Sequence, residues 1–289
     1  MLTEQYVAVC DDPPVRLFVA CSNGPIDRTL LVIHGGPDWD HSYLREPLVR
    51  LAEERHLVFA DLRGCGRSST GLPDSAYSPH AAVADLLALL DALGVAQADV
   101  LGFSYGGLLA QRLALAAPER IRALIIASSS VMPVPDDAYD DWPEAARLQA
   151  AGEALWADDP EPSPQLTRAD ALAGIPANVW RPEARAEYRS RLEGVRFTAE
   201  WARPYLAGTL PPARPEHAAD RLAALNLPIL LLHGRQDMTF PAALAEQAAS
   251  AIPHARAVVI DQAGHMAHID QPGQWLAAVT AFLDGRTEQ

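Results

Sequence analysis

The alternation of short apolar runs with amphipathic helical patterns restricts the fold of this 289-residue chain more than any other feature. Continuous runs of aliphatic and β-branched residues are typical of strands that a sheet buries on both faces. Such runs occupy residues 30–33, 56–60, 100–103, 121–126, 229–232 and 257–260. Helical patterns lie between or after them, at 79–93, 105–116, 241–251 and 272–283. This order predicts the α/β class, with a mostly parallel sheet covered by helices on both faces.

The helix predicted after residue 78 has the clearest boundaries. Ser78 suits the N-cap position, and Pro79 suits the first helical position because its missing N–H would have no helical partner there. Gly94 follows the last apolar residue of the stripe, and glycine commonly ends a helix at such a position.

One segment departs from the alternation. Residues 131–217 contain no convincing strand, yet they hold 12 of the 24 prolines and four of the six tryptophans. Two amphipathic helices are predicted in this segment, at 143–157 and 182–195. We expect an α/β core formed by residues 1–130 and 218–289, interrupted by a helical cap at 131–217.

The charge balance excludes several classes of function. The chain has 37 acidic and 23 basic residues, for a formal charge of −14, so its mean field repels nucleic-acid phosphates and anionic lipid headgroups. All the basic residues are arginine, which excludes mechanisms that need a lysine Schiff base or a lysine general base. We expect neither a nucleic-acid nor a membrane partner, and the sequence leaves the oligomeric state open.

The amino terminus and the hydropathy of the chain point to the cytoplasm, and the cysteines point to free thiols. No basic region precedes an apolar stretch, and no run of 18 apolar residues occurs, so we expect a cytoplasmic protein. Cys10, Cys21 and Cys65 lack metal-ligand spacing. If the first two strands form a hairpin, Cys10 faces Val15 instead of Cys21, and free thiols are expected.

The most specific local motif is the G-x-S-x-G pentapeptide at residues 102–106, which follows an apolar run and begins a helical pattern. A sharp strand-to-helix turn presents the serine hydroxyl, and the residues two before and two after the serine must then be small. Ser104 would also lie at a helix amino terminus, where the backbone dipole favours developing negative charge. Ser104 is therefore either a nucleophile or a serine that only caps the helix, and the flanking strand and helix favour the nucleophile.

A serine nucleophile needs a base, and the base needs an acid that orients it. Asp237 and His265 each follow an apolar run in the last third of the chain. Loops after parallel strands share one edge of the sheet, so Ser104, Asp237 and His265 are predicted to converge as a catalytic triad. The alternatives are, for the acid, Asp261 and Asp270 and, for the base, His268.

Five motifs follow one another along the chain: His34-Gly35-Gly36-Pro37, the loop 61–68, the pentapeptide around Ser104, Gly234-Arg235-Gln236-Asp237 and Gly264-His265. As a set they resemble the α/β-hydrolase superfamily, and within it the proline iminopeptidases and their capped relatives. The resemblance implies the α/β-hydrolase fold and a serine hydrolase that needs no metal or organic cofactor. It also implies an oxyanion hole formed by the backbone N–H groups of Gly36 and Tyr105.

Several residues around these motifs have expected roles outside the catalytic step. His34 is expected to be a buried residue that orders its loop by hydrogen bonds. Asp61 and Arg63 are expected to form a structural charge pair. A metal site built on His34 and His233 would lack a third ligand at suitable spacing.

Two residues depart from the iminopeptidase pattern and leave the substrate open. Asp38 stands where that family usually has glycine, and Tyr105 stands where it usually has tryptophan. Asp38 is expected either to bind a cationic amine or to cap the helix that begins near Ser42. Carboxylates of the cap either bind an amine or form a solvated face, and the candidates are Asp136, Asp137, Asp140, Asp141, Glu144, Glu153, Glu187, Glu193 and Glu200.

The sequence thus predicts a serine hydrolase acting on a small-molecule or short-peptide substrate. One interpretation is an aminopeptidase resembling proline iminopeptidase, and the alternative is a general carboxylesterase or lactonase. A ligand-binding receptor with the same fold is the alternative outside enzymes, but a receptor has no need of all three triad residues. Relatives with an aspartate nucleophile, the haloalkane dehalogenases and epoxide hydrolases, are disfavoured because Ser104 occupies that position.

Overall fold

An eight-stranded sheet forms the centre of the molecule in the computed structural model, which describes residues 1–158 and 161–285. The strands are β1 (Thr3–Asp11), β2 (Pro14–Cys21), β3 (Leu30–Ile33), β4 (Leu57–Ala60), β5 (Ala98–Phe103), β6 (Ile121–Ala127), β7 (Ile229–Gly234) and β8 (Ala255–Ile260). Their spatial order is β1-β2-β4-β3-β5-β6-β7-β8. Strands β3 to β8 are parallel, while β2 is antiparallel to both of its neighbours. The predicted α/β class with a mostly parallel sheet is confirmed.

Twelve α-helices occur in the described residues. They are α1 (Arg45–Leu48), α2 (Pro79–Ala92), α3 (Tyr105–Ala116), α4 (Pro143–Asp158), α5 (Pro164–Ala173), α6 (Ile175–Asn178), α7 (Arg185–Gly194), α8 (Ala202–Leu206), α9 (Ala218–Ala223), α10 (Ala242–Ala251), α11 (Ala267–Asp270) and α12 (Pro272–Asp284). Helix α2 begins as predicted, because the Ser78 hydroxyl accepts a hydrogen bond from the Ala81 N–H. Within the described ranges no helix is long and apolar enough to cross a membrane.

Both faces of the central strands β3 to β7 are buried, because their side chains alternate between two hydrophobic clusters. In β3, Leu31 and Ile33 belong to one cluster, whereas Leu30 and Val32 belong to the other. Helices α2, α3 and α10 contribute to the first cluster, and α1 and α12 contribute to the second. Burying each such side chain contributes about 1.5–3 kcal/mol to the stability of the core.

The amino-terminal hairpin has the register predicted at its turn. Cys10 in β1 lies opposite Val15 in β2. All three cysteines are free thiols, as predicted.

The described residues between β6 and β7 contain helices α4 to α9 and no strand. The helix predicted at 143–157 corresponds to α4, and the one predicted at 182–195 starts with a 3₁₀ turn and continues as α7. Helix α5 was missed, although Ser163 and Pro164 repeat the Ser-Pro start of α2 and Ser163 accepts a hydrogen bond from the Leu166 N–H. The boundaries of the cap at 131–217 stay a prediction.

The expected charge pair between Asp61 and Arg63 is wrong. Arg63 donates from Nε and Nη2 to the two carboxylate oxygens of Asp85 in α2, each at 2.6 Å. Asp61 accepts from the backbone N–H groups of His41 and Arg67 instead, and its Oδ1 lies 2.5 Å from His41 Nδ1. The planar guanidinium of Arg63 binds both oxygens of the Asp85 carboxylate, and such a two-pronged pair is stronger than a single hydrogen bond.

Candidate active site

Loops at the carboxyl ends of three parallel strands bring Ser104, Asp237 and His265 to one edge of the sheet. Ser104 directly follows β5, and Asp237 and His265 follow β7 and β8. Strands β5 and β7 are separated only by β6 in the sheet order, and β8 lies next to β7. The three residues that the sequence predicted for the triad therefore meet in space.

Ser104 lies in a strained turn between β5 and α3. Its backbone has φ of 52° and ψ of −121°, a region that residues other than glycine rarely adopt. A Cβ on Gly106 would lie 2.3 Å from the Ile33 carbonyl oxygen, and one on Gly102 would lie 2.4 Å from the Gly106 carbonyl oxygen. Only glycine fits at these two positions, which is the steric requirement expected of the pentapeptide.

The side chains of the three residues lie within hydrogen-bond distance of one another in the order Ser104, His265, Asp237. His265 Nε2 lies 3.1 Å from Ser104 Oγ, and His265 Nδ1 lies 3.0 Å from Asp237 Oδ2 and 3.1 Å from Oδ1. A carboxylate only accepts, so Nδ1 carries the ring hydrogen and Nε2 is left with its lone pair facing the serine. The ring is therefore oriented to accept the Ser104 proton.

Asp237 is held in place from behind. Its Oδ1 accepts hydrogen bonds from the backbone N–H groups of Thr239 at 2.7 Å and Phe240 at 2.9 Å. Burial by itself would raise the pKa of Asp237, but the neighbouring His265 and the Phe240 N–H outweigh it and hold the pKa below its ordinary value. The carboxylate is thus ionised at neutral pH and can stabilise a positively charged His265.

The alternative acids and base have other partners. The Asp261 side chain is 75% exposed and pairs with Arg235 Nε at 2.5 Å. Asp270 accepts hydrogen bonds from three backbone N–H groups, including that of Gly264 at 2.8 Å. His268 is fully buried among aromatic rings. The geometry thus groups Asp237 and His265, and not these three residues, with Ser104.

The loop after β3 passes directly beside Ser104. A Cβ on Gly35 would lie 2.6 Å from the Ser104 Cβ, and Gly36 has φ of +59°. Tyr105 is the first residue of α3, and the first N–H groups of a helix have no partner within it. An oxyanion hole at the N–H groups of Gly36 and Tyr105 is compatible with this arrangement and stays a prediction.

His34 orders this loop, as the sequence predicted. The Leu62 N–H donates to His34 Nε2 at 3.0 Å, so the ring hydrogen is on Nδ1, which lies 3.0 Å from the Gly35 carbonyl oxygen. The ring is fully buried, and burial lowers the pKa of His34. A neutral imidazole with both nitrogens occupied fixes the loop without taking part in proton transfer.

Asp38 does not cap the helix near Ser42, so that expectation is wrong. Asp40 accepts from the Ser42 N–H at 2.8 Å. The Asp38 carboxylate is buried against the cap, where it accepts from the backbone N–H groups of Trp201 and Ala202, each at 2.9 Å, and from the Thr198 hydroxyl at 3.1 Å. It therefore joins the loop after β3 to the start of α8.

The candidate carboxylates of the cap differ in exposure. Seven of them are exposed to solvent: Asp136, Asp137, Asp140, Asp141, Glu144, Glu187 and Glu193. Glu200 is less exposed, and it accepts from the Tyr77 hydroxyl, the Gly71 N–H and Arg203 Nη2. The side chain of Glu153 lies outside the described residues.

Sequence reasoning missed Ser128. It directly follows β6, is fully buried, has φ of 46°, and donates from Oγ to the His265 carbonyl oxygen at 2.7 Å. Its position at the carboxyl end of β6, which lies between β5 and β7 in the sheet, is the signal that would have predicted its place near the site.

No cluster of three or more metal-ligating side chains occurs in the described parts of the chain. His233, which the sequence set beside His34 as a metal candidate, is fully buried in β7. Neither ring nitrogen has a hydrogen-bond partner among the described residues, and burial lowers the pKa of His233 to about 4. It is a buried neutral histidine.

Known proteins with similar sequences and structures agree with this fold. The family model for the alpha/beta hydrolase fold matches residues 28–272. Rhodomycin D methylesterase DauP from Streptomyces sp. (strain C5) is 34% identical over 287 residues, which cover 91% of this chain and 93% of that protein. The 2-hydroxymuconate semialdehyde hydrolase of Pseudomonas putida is 29% identical over 262 residues, covering 88% of this chain and 86% of that protein.

A solved structure of a proline iminopeptidase-related protein from Thermus thermophilus superposes with a TM-score of 0.73, at 26% identity, and covers 98% of this chain and 97% of that one. The chain belongs to the α/β-hydrolase family, and it is an enzyme of the hydrolase type. The relatives carry the names of different hydrolases, and these names do not agree on one substrate.

Proposed function

We propose that this protein is a serine hydrolase of small carboxylic esters, with Ser104 as the nucleophile, His265 as the base and Asp237 as the acid that orients it. The observation that carries the proposal is the line of hydrogen-bond distances from Ser104 Oγ through the His265 ring to the Asp237 carboxylate. Further support comes from the helix start, because the Ser104 side chain makes no capping hydrogen bond to α3.

In the proposed reaction, Ser104 Oγ attacks the substrate carbonyl carbon while its proton passes to His265 Nε2. The tetrahedral oxyanion accepts hydrogen bonds from the backbone N–H groups of Gly36 and Tyr105. The protonated His265 then gives its proton to the leaving oxygen as the carbon–oxygen bond breaks, which leaves an acyl group on Ser104. Water repeats the sequence with the same base, releasing the carboxylic acid and the free serine.

The carboxylates near the site support an ester in preference to a peptide with a free amino terminus. An aminopeptidase site needs a desolvated carboxylate with an oxygen free to bind the ammonium group. Asp38 and Glu200 are the less exposed candidates. Both oxygens of Asp38 accept from donors of the protein itself, and the charge of Glu200 is already paired with the Arg203 guanidinium through Oε2. The other described candidates are in contact with solvent, where screening weakens an ion pair.

Labelling with a fluorophosphonate tests the nucleophile. The reagent is expected to modify one serine per chain, at Ser104, and Ser104→Ala is expected to abolish both the labelling and the turnover of p-nitrophenyl acetate. A folded wild-type protein that resists the reagent, or that binds esters without hydrolysing them, would reject the enzyme mechanism in favour of a ligand-binding role.

A matched pair of substrates tests the substrate class. Prolyl-arylamide and its N-acetyl derivative differ only in the ammonium group, and simple methyl and p-nitrophenyl esters lack it. We expect the esters to be hydrolysed faster than either arylamide, and acetylation to change the arylamide rate by less than about threefold. Cleavage of prolyl-arylamide alone, lost on acetylation, would replace the ester hydrolase with an aminopeptidase.

A further inference from the structure

The loop that carries His265 is linked to the cap on both sides of the histidine, through Asp270 on one side and directly on the other. The Gly264 N–H donates to Asp270 Oδ2 at 2.8 Å, and the Met266 N–H donates to the Asn178 carbonyl oxygen at 2.8 Å. A Cβ on Gly264 would lie 2.9 Å from that same carbonyl oxygen. The backbone around His265 therefore packs directly against the cap segment 178–181.

Asp270 joins the histidine loop to this segment. Its Oδ2 also accepts from the Trp180 N–H at 3.0 Å, and its Oδ1 accepts from the Arg181 N–H at 2.8 Å. Arg181 Nη1 donates to the Asp270 carbonyl oxygen at 2.7 Å. The Asp270 carboxylate is buried, and a buried charge needs hydrogen-bond donors in place of water. These donors are one N–H of the histidine loop and two N–H groups of the cap.

We propose that Asp270 is a positioning residue through which the docked cap holds His265 in line with Ser104, an inference that rests on the function proposed above. A carboxylate only accepts, so it binds the N–H groups of Gly264 and of the cap at the same time. If the cap segment moves away, Asp270 loses two of its three backbone donors and the Met266 N–H loses its partner. A shift of about 1 Å in a catalytic group costs on the order of a hundredfold in rate, so cap docking controls the base.

Asp38 supplies a matched control, because it joins another part of the cap to a different core loop. Its carboxylate binds the N–H groups of Trp201 and Ala202, and it lies two residues after Gly36. Asp38→Asn therefore weakens cap docking at the loop after β3 and does not act through His265.

The test is a double-mutant cycle with p-nitrophenyl acetate, a substrate too small to need much of the cap. Asp270→Asn places an amide NH₂ against one of the N–H donors, and it is expected to lower kcat about 10- to 100-fold with less than about a threefold change in KM. In a His265→Ala background the same substitution is expected to change the residual rate by less than about twofold, because the base through which it acts is gone. Asp38→Asn is expected to cost the same factor in both backgrounds.

Equal losses from Asp270→Asn with and without His265 would overturn the positioning role, since Asp270 would then act on the cap as a whole. If Asp270→Asn does not fold, Arg181→Ala gives the same cycle, because Arg181 is partly exposed and binds the Asp270 carbonyl oxygen. Its loss is expected to be about 2- to 10-fold and again to depend on His265; a loss that persists without His265 overturns the role. Failure of the proposed function is distinguishable, because the wild type would then not be labelled at Ser104.

Discussion

Ser128 donates a hydrogen bond of 2.7 Å to the carbonyl oxygen of His265, and thereby joins the end of β6 to the loop after β8. The serine is itself held by β7, because its N–H donates to the Leu232 carbonyl oxygen at 2.8 Å. His265 is thus supported from the core by Ser128 as well as from the cap side.

Ser128→Ala is expected to lower kcat for an activated ester about 3- to 10-fold, because a buried hydrogen bond worth about 1 kcal/mol no longer fixes the histidine loop. The neighbouring Ser129 is the control, since its buried hydroxyl has no hydrogen-bond partner among the described residues. Ser129→Ala should leave kcat within about twofold of the wild type. Steady-state kinetics on both variants make the comparison, and equal effects would contradict a role for the 2.7 Å bond.

Asp237→Asn is expected to lower kcat by about 10³- to 10⁴-fold while the protein stays folded. An amide at this position turns its NH₂ towards His265 Nδ1, which forces the ring hydrogen onto Nε2 and removes the acceptor for the Ser104 proton. Asp261→Asn is the control, because that side chain is exposed and paired with Arg235, and its rate should be unchanged. Comparable losses in the two variants would refute the assignment of the acid.

Stability is expected to fall between about pH 6.5 and pH 4, partly because His233 is buried in its neutral form. Its folded pKa of about 4 lies below the unfolded value near 6.5, so the unfolded chain binds the extra proton and stability decreases as the pH falls through this window. Between about pH 7 and pH 5 this histidine accounts for about 2 kcal/mol of the free energy of unfolding. Urea unfolding of wild type and His233→Gln at both pH values measures it, and the variant should lose about 2 kcal/mol less. Identical losses would be evidence against the buried neutral form.

Two glycine substitutions should have opposite effects on stability. Gly106→Ala forces a Cβ to within 2.3 Å of the Ile33 carbonyl oxygen, and we expect a loss of about 3 kcal/mol or more in the free energy of unfolding. Gly273→Ala adds a methyl group in open space on α12, and we expect a gain of about 0.5–1 kcal/mol. Chemical denaturation of both variants is the measurement; a Gly106→Ala protein as stable as the wild type would show that the turn can relax.

Much of the fold could be predicted because strands and helix starts depend on short stretches of sequence. The run at 30–33 is β3 itself, and the Ser78-Pro79 signal marks the first residue of α2. The same Ser-Pro signal at Ser163 went unused because the surrounding segment is rich in proline. The elbow around Ser104 was predictable for a similar reason, since its steric needs concern residues only two positions away.

The partners of charged residues depended on the tertiary structure. Asp38 and Arg63 were each given a role from their neighbours in the chain, and Asp270 was named only as an alternative acid. In the structure Asp38 binds Trp201 across 163 positions and Asp270 binds Trp180 across 90. Local patterns specify backbone conformation and which face is apolar, so they determined the α/β class and the order of the motifs. A buried charge pairs with the donor or acceptor that tertiary packing brings within about 3 Å of it. A local sequence pattern contains no information about that distance.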